Sequence, residues 1–285
     1  MLKDLVIHFY TNTFRGSITQ GRNMTSIIRS RNGLEDLTVC KELHTSVSSS
    51  LMQSILLRGE ERVRTVSERS YEALGIIYDC TVYTEKWGSN FFRGVATKSE
   101  TTTPREKSNF MIGRALYGAT EEYKSILALD DQNIGLTNKD MQTFYNISEQ
   151  VPSKIYINSS DFTNQNPDFK SLSYLIQLMP GGEKEMLTEL DESIKSSSFF
   201  SQLHEEPLTE ENFKHLFSSI HEEIGFRSTE YEFKCNCNKD SMISFIKKLE
   251  ITELVELKKD THVITCSHCN EHYELTPKDI DPYIK

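Results

Sequence analysis

Four of the six cysteines lie in the C-terminal tail, and their spacing constrains the fold more than any other feature of the sequence. "CNC" places Cys235 and Cys237 two residues apart, and "CSHC" places Cys266 and Cys269 three residues apart. On an extended strand, both side chains of the first pair would point to one face. The second pair has the spacing of a knuckle turn between strand-like "HVIT" and "HYEL". Two such pairs can bring four sulfurs together.

Four converging thiolates suit a tetrahedral metal ion. We predict one Zn²⁺ with four ligands: Cys235, Cys237, Cys266 and Cys269. Two short helices, around residues 243–249 and 254–257, are expected between the pairs, and Phe245, Ile246 and Leu254 are expected to pack beneath the site. So small a core often needs a metal to fold. His268 and His272 are expected to be spectators beside the knuckle.

The same sulfurs have a redox chemistry. Zinc would hold them deprotonated, and a thiolate is the oxidisable form of cysteine. Each pair is also close enough for a local disulfide, Cys235–Cys237 or Cys266–Cys269, which would expel the metal without joining the two halves of the tail. The spacing alone leaves an inert zinc clip and a redox switch both open. Cys40 and Cys80 have no partner spacing and are expected to be buried small residues.

Composition excludes several classes of function. The net charge of −10 argues against nucleic acid as a partner. There is no apolar run long enough to span a bilayer, and the first residues lack a signal-peptide pattern, so we expect a cytoplasmic protein with no membrane partner. In that reducing compartment a permanent disulfide staple is disfavoured. The sequence contains no Gly-rich phosphate loop, zinc-protease motif or nucleophile elbow, and His8, His44 and Asp79 follow no catalytic spacing, so no enzyme is expected.

Residues 1–180 mix helix and strand signals, which predicts an α/β (α+β) domain with one main mixed sheet and packed helices. Residues 34–57 have apolar positions at helical spacing. A further helix is expected to start after Thr137, with Asp140 three residues on. Strands are expected at "ALGIIYDCTVY", "FFRGVAT", "SKIYINSS" and "LSYLIQLM".

A break at Pro180-Gly181-Gly182 precedes an acidic segment, residues 181–230, with two amphipathic helices. Met186 shares a face with the apolar residues of the first helix, and Thr209 is the N-cap of the second, with Leu208 and Phe213 in the positions of a hydrophobic staple. Leu203 lies between the helices. This segment is either an ordinary helical subdomain packed on the sheet or a linker that offers its apolar stripe to client proteins. The candidate client-binding residues are Leu187, Leu190, Ile194, Phe199, Phe200, Phe213, Leu216, Phe217 and Ile220.

Three blocks in the right order resemble the redox-regulated heat shock protein 33 chaperones. "YEFKCNC…ITCSHCNEHYEL" is similar to that family's zinc domain, "YLIQLMPG" to the end of its N-terminal domain, and "FYNISEQVPSKIYI" to part of its core. "FFRGVAT" sits where the family has an arginine-glycine stretch. The chain departs from the family in "RTVSERSYEALGI", which stands where the family has a glycine-rich turn.

The resemblance implies an ATP-independent holdase with a core domain (1–180), a linker (181–230) and a zinc-binding redox-switch domain (231–285). Peroxide with unfolding stress, or hypochlorous acid, would oxidise Cys266 and Cys269 first and then Cys235 and Cys237. Zinc would leave, the tail and linker would unfold, and apolar surface would become available to unfolding proteins. Dimerisation of the oxidised form and transfer of clients to an ATP-driven foldase are implied in the same way.

Two other hypotheses are open. A zinc ribbon on an α/β domain could bind a partner protein constitutively, with activity that ignores thiol oxidation. An enzyme with its site in the N-terminal domain is the weakest alternative, since no catalytic constellation supports it.

Overall fold

The computed structural model describes residues 2–129, 136–158, 171–204, 206–217, 223–244 and 246–284. The chain divides into two compact units, Met1–Phe233 and Lys234–Lys285. Within the described parts of the chain, no helix has the length and apolar character needed to cross a membrane.

One ten-stranded mixed sheet forms the frame of the first unit. Its strands are β1 (Lys3–Tyr10), β2 (Phe14–Thr19), β3 (Arg62–Ala73), β4 (Ile76–Trp87), β5 (Phe91–Glu100), β6 (Asn109–Ala115), β7 (Tyr123–Ala128), β8 (Ser153–Ile157), β9 (Ser173–Leu178) and β10 (Gly225–Phe233). Their order across the sheet is β7-β6-β3-β4-β5-β10-β1-β2-β9-β8. The four strands predicted from the sequence correspond to β4, β5, β8 and β9, and the mixed α/β fold class is confirmed.

The strand after the acidic segment lies in the middle of this sheet. β10 runs antiparallel to β1 over its full length and meets β5 in parallel at Phe233↔Phe92. The sequence did not indicate this strand. The boundary expected between residues 230 and 231 falls within it, and the two compact units divide after Phe233.

In the described residues of the first unit, the helices that accompany the sheet are α1 (Arg22–Arg31), α2 (Leu37–Met52), α3 (Asn138–Phe144), α4 (Lys184–Ser196), α5 (Ser198–Leu203) and α6 (Glu210–Leu216). A 3₁₀ turn, Gln53–Leu56, extends α2, and a π turn, Tyr145–Glu149, extends α3. Thr137 caps α3 as predicted, because its hydroxyl accepts from the backbone N–H of Asp140 while the Asp140 side chain accepts from the N–H of Thr137.

The segment "RTVSERSYEALGI" (residues 64–76), in which the chain departs from the family that it resembles, lies in a long β-hairpin. β3 buries alternate residues, as a strand with one face on the core should. Ala73 pairs with Ile76, so only Leu74 and Gly75 connect the strands, and both have positive φ (54° and 78°). That is the geometry of a two-residue type I′ turn, which matches the twist of the flanking strands.

The buried helix α2 packs against the sheet in one of its hydrophobic clusters. Asp36 caps it by accepting from the N–H groups of Thr38 and Val39. Cys40 and Cys80 are both buried, as expected from their lack of partner spacing. Burial raises the pKa of both thiols, which keeps them protonated and slow to react.

The second unit is small. It contains β11 (His262–Thr265), β12 (His272–Leu275), α7 (Lys239–Ile243), α8 (Ile251–Leu257) and α9 (Pro277–Ile280), with 3₁₀ turns at Ile246–Lys248 and Asp281–Tyr283. Its buried core consists of Ile243, Ile246, Leu254, Leu275 and Ile280. The helix expected at 254–257 lies within α8, whereas the range 243–249 holds the end of α7 and a 3₁₀ turn. Ile246 and Leu254 are buried as expected. Phe245 lies outside the described residues.

Candidate metal centre and linker contacts

The structure brings the four tail cysteines into one cluster. Their sulfurs all lie within 4.8 Å of one another. The Sγ atoms of Cys235 and Cys266 are 4.0 Å apart, and those of Cys237 and Cys269 are 3.5 Å apart. Four sulfurs around a tetrahedral zinc at a Zn–S distance of about 2.3 Å would be about 3.8 Å apart. The cluster is therefore positioned to bind one metal ion.

A β-hairpin presents the second cysteine pair. β11 and β12 pair through Thr265↔His272, and the knuckle closes between them. The Cys266 carbonyl accepts from the N–H groups of Cys269 (3.4 Å) and Asn270 (2.9 Å), and Asn270 has a positive φ of 61°. Asparagine adopts this left-handed conformation more readily than most residues.

The first cysteine pair does not lie on a strand. β10 ends at Phe233, and the C-x-C segment has no regular secondary structure before Asn238, the N-cap of α7. The geometry of an extended strand therefore does not account for the placement of these two sulfurs. Cys235 and Cys237 are half-buried, whereas Cys266 and Cys269 are buried.

Burial opposes ionisation of the sulfurs in the cluster. Burial raises the pKa of the Cys237 thiol and that of Cys269. These sulfurs become thiolates at neutral pH when a metal ion supplies positive charge among them. Neither nearby histidine belongs to the cluster; the Nδ1 of His272 lies 2.9 Å from Thr265 Oγ1.

The tyrosine of "HYEL" contacts the cluster. The hydroxyl of Tyr273, on β12, donates to Cys237 Sγ at 3.2 Å. The sequence pattern predicts only a strand at this residue. Alternation along β12 could have placed it on a face of the hairpin, but not against a particular sulfur.

The apolar residues of the acidic segment cover one part of the sheet. Eight of the nine candidate client-binding residues pack in a cluster with β1, β2 and β9 that includes Phe9, Ile18 and Tyr174. Phe199 and Phe200 are partly buried in it, and they lie on α5, where the sequence indicated no helix. The other six are buried: Leu187, Leu190, Ile194, Phe213, Leu216 and Phe217.

Other apolar positions of the acidic segment differ in how well they match the sequence predictions. Met186 is 37% exposed, so its predicted place on the buried face of α4 is wrong. Leu208 and Phe213 are both buried around the Thr209 cap, as the staple requires. Ile220 lies outside the described residues.

Polar contacts also tie the segment to the sheet. The Gln20 side-chain amide, just after β2, donates to the carbonyls of Leu203 (2.7 Å) and Glu206 (2.6 Å), and its oxygen accepts from the N–H of Leu208 (3.0 Å). The Tyr174 hydroxyl donates to the buried Asp191 carboxylate of α4 at 2.6 Å. The sequence carried no signal for either contact, because the partners are separated by many residues.

The three residues considered for catalysis, His8, His44 and Asp79, each make hydrogen bonds with a structural role. His8 and His44 are buried, and burial lowers the pKa of each to about 3, so both are neutral at physiological pH. His8 Nε2 lies 3.3 Å from Ser54 Oγ, while His44 Nδ1 lies 3.1 Å from Thr25 Oγ1. Asp79 accepts from Ser70 Oγ on the neighbouring strand.

Comparison with known proteins identifies the family. The model of the Hsp33 protein family matches residues 4–276. The chain belongs to the Hsp33 family. This match confirms the resemblance indicated by the three sequence blocks. The relatives described below are named chaperonins, which is not the name of an enzyme.

Individual relatives agree with this assignment. A 33 kDa chaperonin of Oceanobacillus iheyensis is 25% identical over an alignment that covers 94% of this chain and 96% of that protein. One from Streptococcus pneumoniae serotype 19F is 26% identical over 175 residues, 59% of this chain and 58% of that protein. The crystal structure of the Hsp33 homologue of Thermotoga maritima matches with a TM-score of 0.73, covering 98% of this chain and 97% of that one. At 19% identity, this last likeness shows the fold.

Proposed function

We propose that this Hsp33 protein is a redox-regulated, ATP-independent holdase that protects unfolding proteins from aggregation under oxidative stress. The observation that carries the proposal is the four-sulfur cluster, built from two close pairs in a unit with a small hydrophobic core. A metal that joins the two pairs would dominate the stability of so small a unit.

The metal we propose is zinc, held by Cys235, Cys237, Cys266 and Cys269. Four thiolates are a soft donor set that suits Zn²⁺, and the sulfur separations agree with tetrahedral coordination. A site closed by four protein ligands has no open position for a substrate, so its role is structural until the sulfurs are oxidised.

Oxidation would convert each pair into a local disulfide, Cys235–Cys237 and Cys266–Cys269. For each pair, one sulfur attacks the O–O bond of the hydroperoxide, and the second sulfur then displaces the hydroxyl from the sulfenic acid. The S–S bond forms, the O–O bond breaks, and both peroxide oxygens leave as water after taking up protons. Disulfide sulfurs bind zinc poorly, so the link between the two halves of the tail is lost.

The acidic segment is the proposed client-binding surface. In the structure its apolar residues lie against β1, β2 and β9, which keeps them from solvent. Its last residues lead into β10, and Cys235 follows the end of that strand by two residues. We propose that the chain works as core (1–180), linker (181–230) and switch (231–285), with β10 spanning the second boundary. Release of the tail would loosen the linker and expose the apolar stripe.

The further elements of the proposal follow the family. The partners would be unfolding client proteins in the cytoplasm, an ATP-driven foldase that receives them, and a second copy of the chain after oxidation.

To test the proposal, zinc-loaded full-length protein is treated with peroxide at elevated temperature. Zinc release and the aggregation of a thermally unfolding client are measured in the same experiment. We expect zinc to leave and aggregation to be suppressed only after oxidation. If zinc leaves and aggregation continues unchanged, the chaperone function is rejected.

A substitution distinguishes the switch from a constitutive binding module. Cys266→Ser removes one ligand and weakens the link between the two pairs. Under the proposal this variant suppresses aggregation partly even in reducing buffer. For a constitutive module, Cys266→Ser would abolish binding instead.

A further inference from the structure

The four sulfurs differ in what surrounds them. Tyr273 lies on β12 opposite Ile264 of β11, and its hydroxyl points to Cys237 Sγ at 3.2 Å. A hydrogen bond from a neutral hydroxyl to a metal-bound sulfur withdraws electron density from that sulfur. Hydrogen bonds to cysteine sulfurs tune the redox behaviour of metal–sulfur sites in general.

Exposure alone would make the C-x-C pair the more reactive one. Cys235 and Cys237 are half-buried, whereas Cys266 is 3% and Cys269 is 1% exposed. An oxidant arriving from solvent therefore reaches the first pair more readily. A hydrogen bond to Cys237 Sγ instead lowers the reactivity of this sulfur, because it occupies a lone pair that the sulfur would use in attack.

We propose that Tyr273 is a positioning residue that lowers the nucleophilicity of Cys237, and thereby delays closure of the Cys235–Cys237 disulfide. This inference rests on the proposed function, since it concerns the oxidation of the same cluster. The hydroxyl neither gives up its proton nor contacts the oxidant. It changes the rate at which Cys237 Sγ attacks an electrophile, and leaves the bonds made and broken unchanged.

Alkylation measures this effect without an oxidant or a client. Zinc-loaded full-length protein is treated with iodoacetamide, whose C–I bond breaks as a sulfur forms the new S–C bond and iodide leaves. Samples are quenched over time, and mass spectrometry of the peptides gives one rate for each cysteine. Zinc content is measured beforehand in every sample.

The comparison uses Tyr273→Phe and, as a matched control in the same unit, Tyr283→Phe. Tyr283 packs against the hydrophobic core of that unit, so its variant tests the general effect of losing a tyrosine hydroxyl. We expect Tyr273→Phe to raise the rate at Cys237 about two- to tenfold, the equivalent of one hydrogen bond. The other three rates and all rates in Tyr283→Phe should stay at the wild-type values.

Two results overturn the inference. An unchanged Cys237 rate in Tyr273→Phe means that the hydrogen bond does not control reactivity. A parallel rise at all four cysteines, with or without loss of zinc, means that the ring merely holds the site together.

A second replacement keeps the aromatic ring in place, so that loss of folding does not confuse the result. We expect it to change the alkylation rate at Cys237 in the opposite direction. Placing 3-fluorotyrosine at position 273 keeps the shape of the ring and makes the hydroxyl a stronger donor. Alkylation at Cys237 should then be slower than in the wild type, and an equal or faster rate contradicts the proposal. Both readouts are independent of client aggregation, so their failure is distinguishable from failure of the proposed chaperone function.

Discussion

At the scale of single residues, one side-chain amide connects the sheet to the proposed linker. Gln20 is buried and bonds three backbone groups between residues 203 and 208. Backbone groups in such a place need partners, because burying them unpaired costs free energy. Gln20 therefore fixes the path of the chain between α5 and α6.

We predict that Gln20→Ala weakens docking of the linker by about 1–3 kcal/mol, because buried backbone groups lose their partner. In reducing buffer, the zinc-loaded variant should suppress client aggregation partly. Hydrogen exchange of peptides from residues 198–217 should be faster than in the wild type.

The matched control is Gln177→Ala. Gln177 is equally buried, but its amide bonds Arg15 and Ser153, outside the linker. If both variants show the same basal activity, general destabilisation of the core explains it, and the specific role of Gln20 is rejected.

At the scale of secondary-structure elements, α4 packs on the sheet in this structure and is, under the proposed function, part of the surface that would bind clients after release. Leu187, Leu190 and Ile194 pack in the cluster with the sheet, while Met186 on the same helix is 37% exposed. A helix of thirteen residues is marginal in isolation, so α4 depends on this contact for its stability.

We predict that Leu190→Ala shifts α4 toward release, since a buried leucine truncated to alanine typically costs about 2–5 kcal/mol. The aggregation assay in reducing buffer should detect higher basal activity than in the wild type. Met186→Ala changes the same helix at an exposed position and should behave as the wild type. Equal activity of the two variants would mean that docking of α4 does not restrain the protein.

At the scale of the whole molecule, the two compact units differ in what stabilises them. The first has a ten-stranded sheet and three extended apolar clusters, and the second has one small apolar cluster and the sulfur cluster. Structural zinc can supply about 10–16 kcal/mol of apparent binding free energy, which exceeds what so small a core provides.

Removal of the metal by a chelator under anaerobic, reducing conditions should therefore unfold the second unit and leave the β3–β4 part of the first unit folded. Hydrogen exchange should lose its protection in peptides from residues 239–284 and keep it in β3 and β4. Fluorescence of Trp87, at the end of β4, should stay at its native value. Protection of the tail that survives chelation would show that the metal is dispensable for its fold.

Local patterns in the sequence carried much of this structure. Thr137 and Thr209 were recognised as caps because a cap depends on residues three positions apart. The buried face of α4 followed from helical periodicity, except at Met186, where periodicity gives an approximate direction and packing selects the residues that reach the sheet. The knuckle was evident because both of its cysteines lie within one turn.

What the sequence alone determined is therefore local: two cysteine pairs able to hold a metal, a mixed α/β core, and an acidic segment whose helices need a surface to cover them. Tertiary structure decided where β10 inserts, which residues Gln20 holds, and that Tyr273 contacts Cys237. These depend on pairing between residues far apart in the chain, such as Lys3 with Glu232, and Gln20 with Leu208 at a separation of 188 positions. Strand and helix periodicities describe which face of an element is apolar, and they contain no information on which distant partner lies against it.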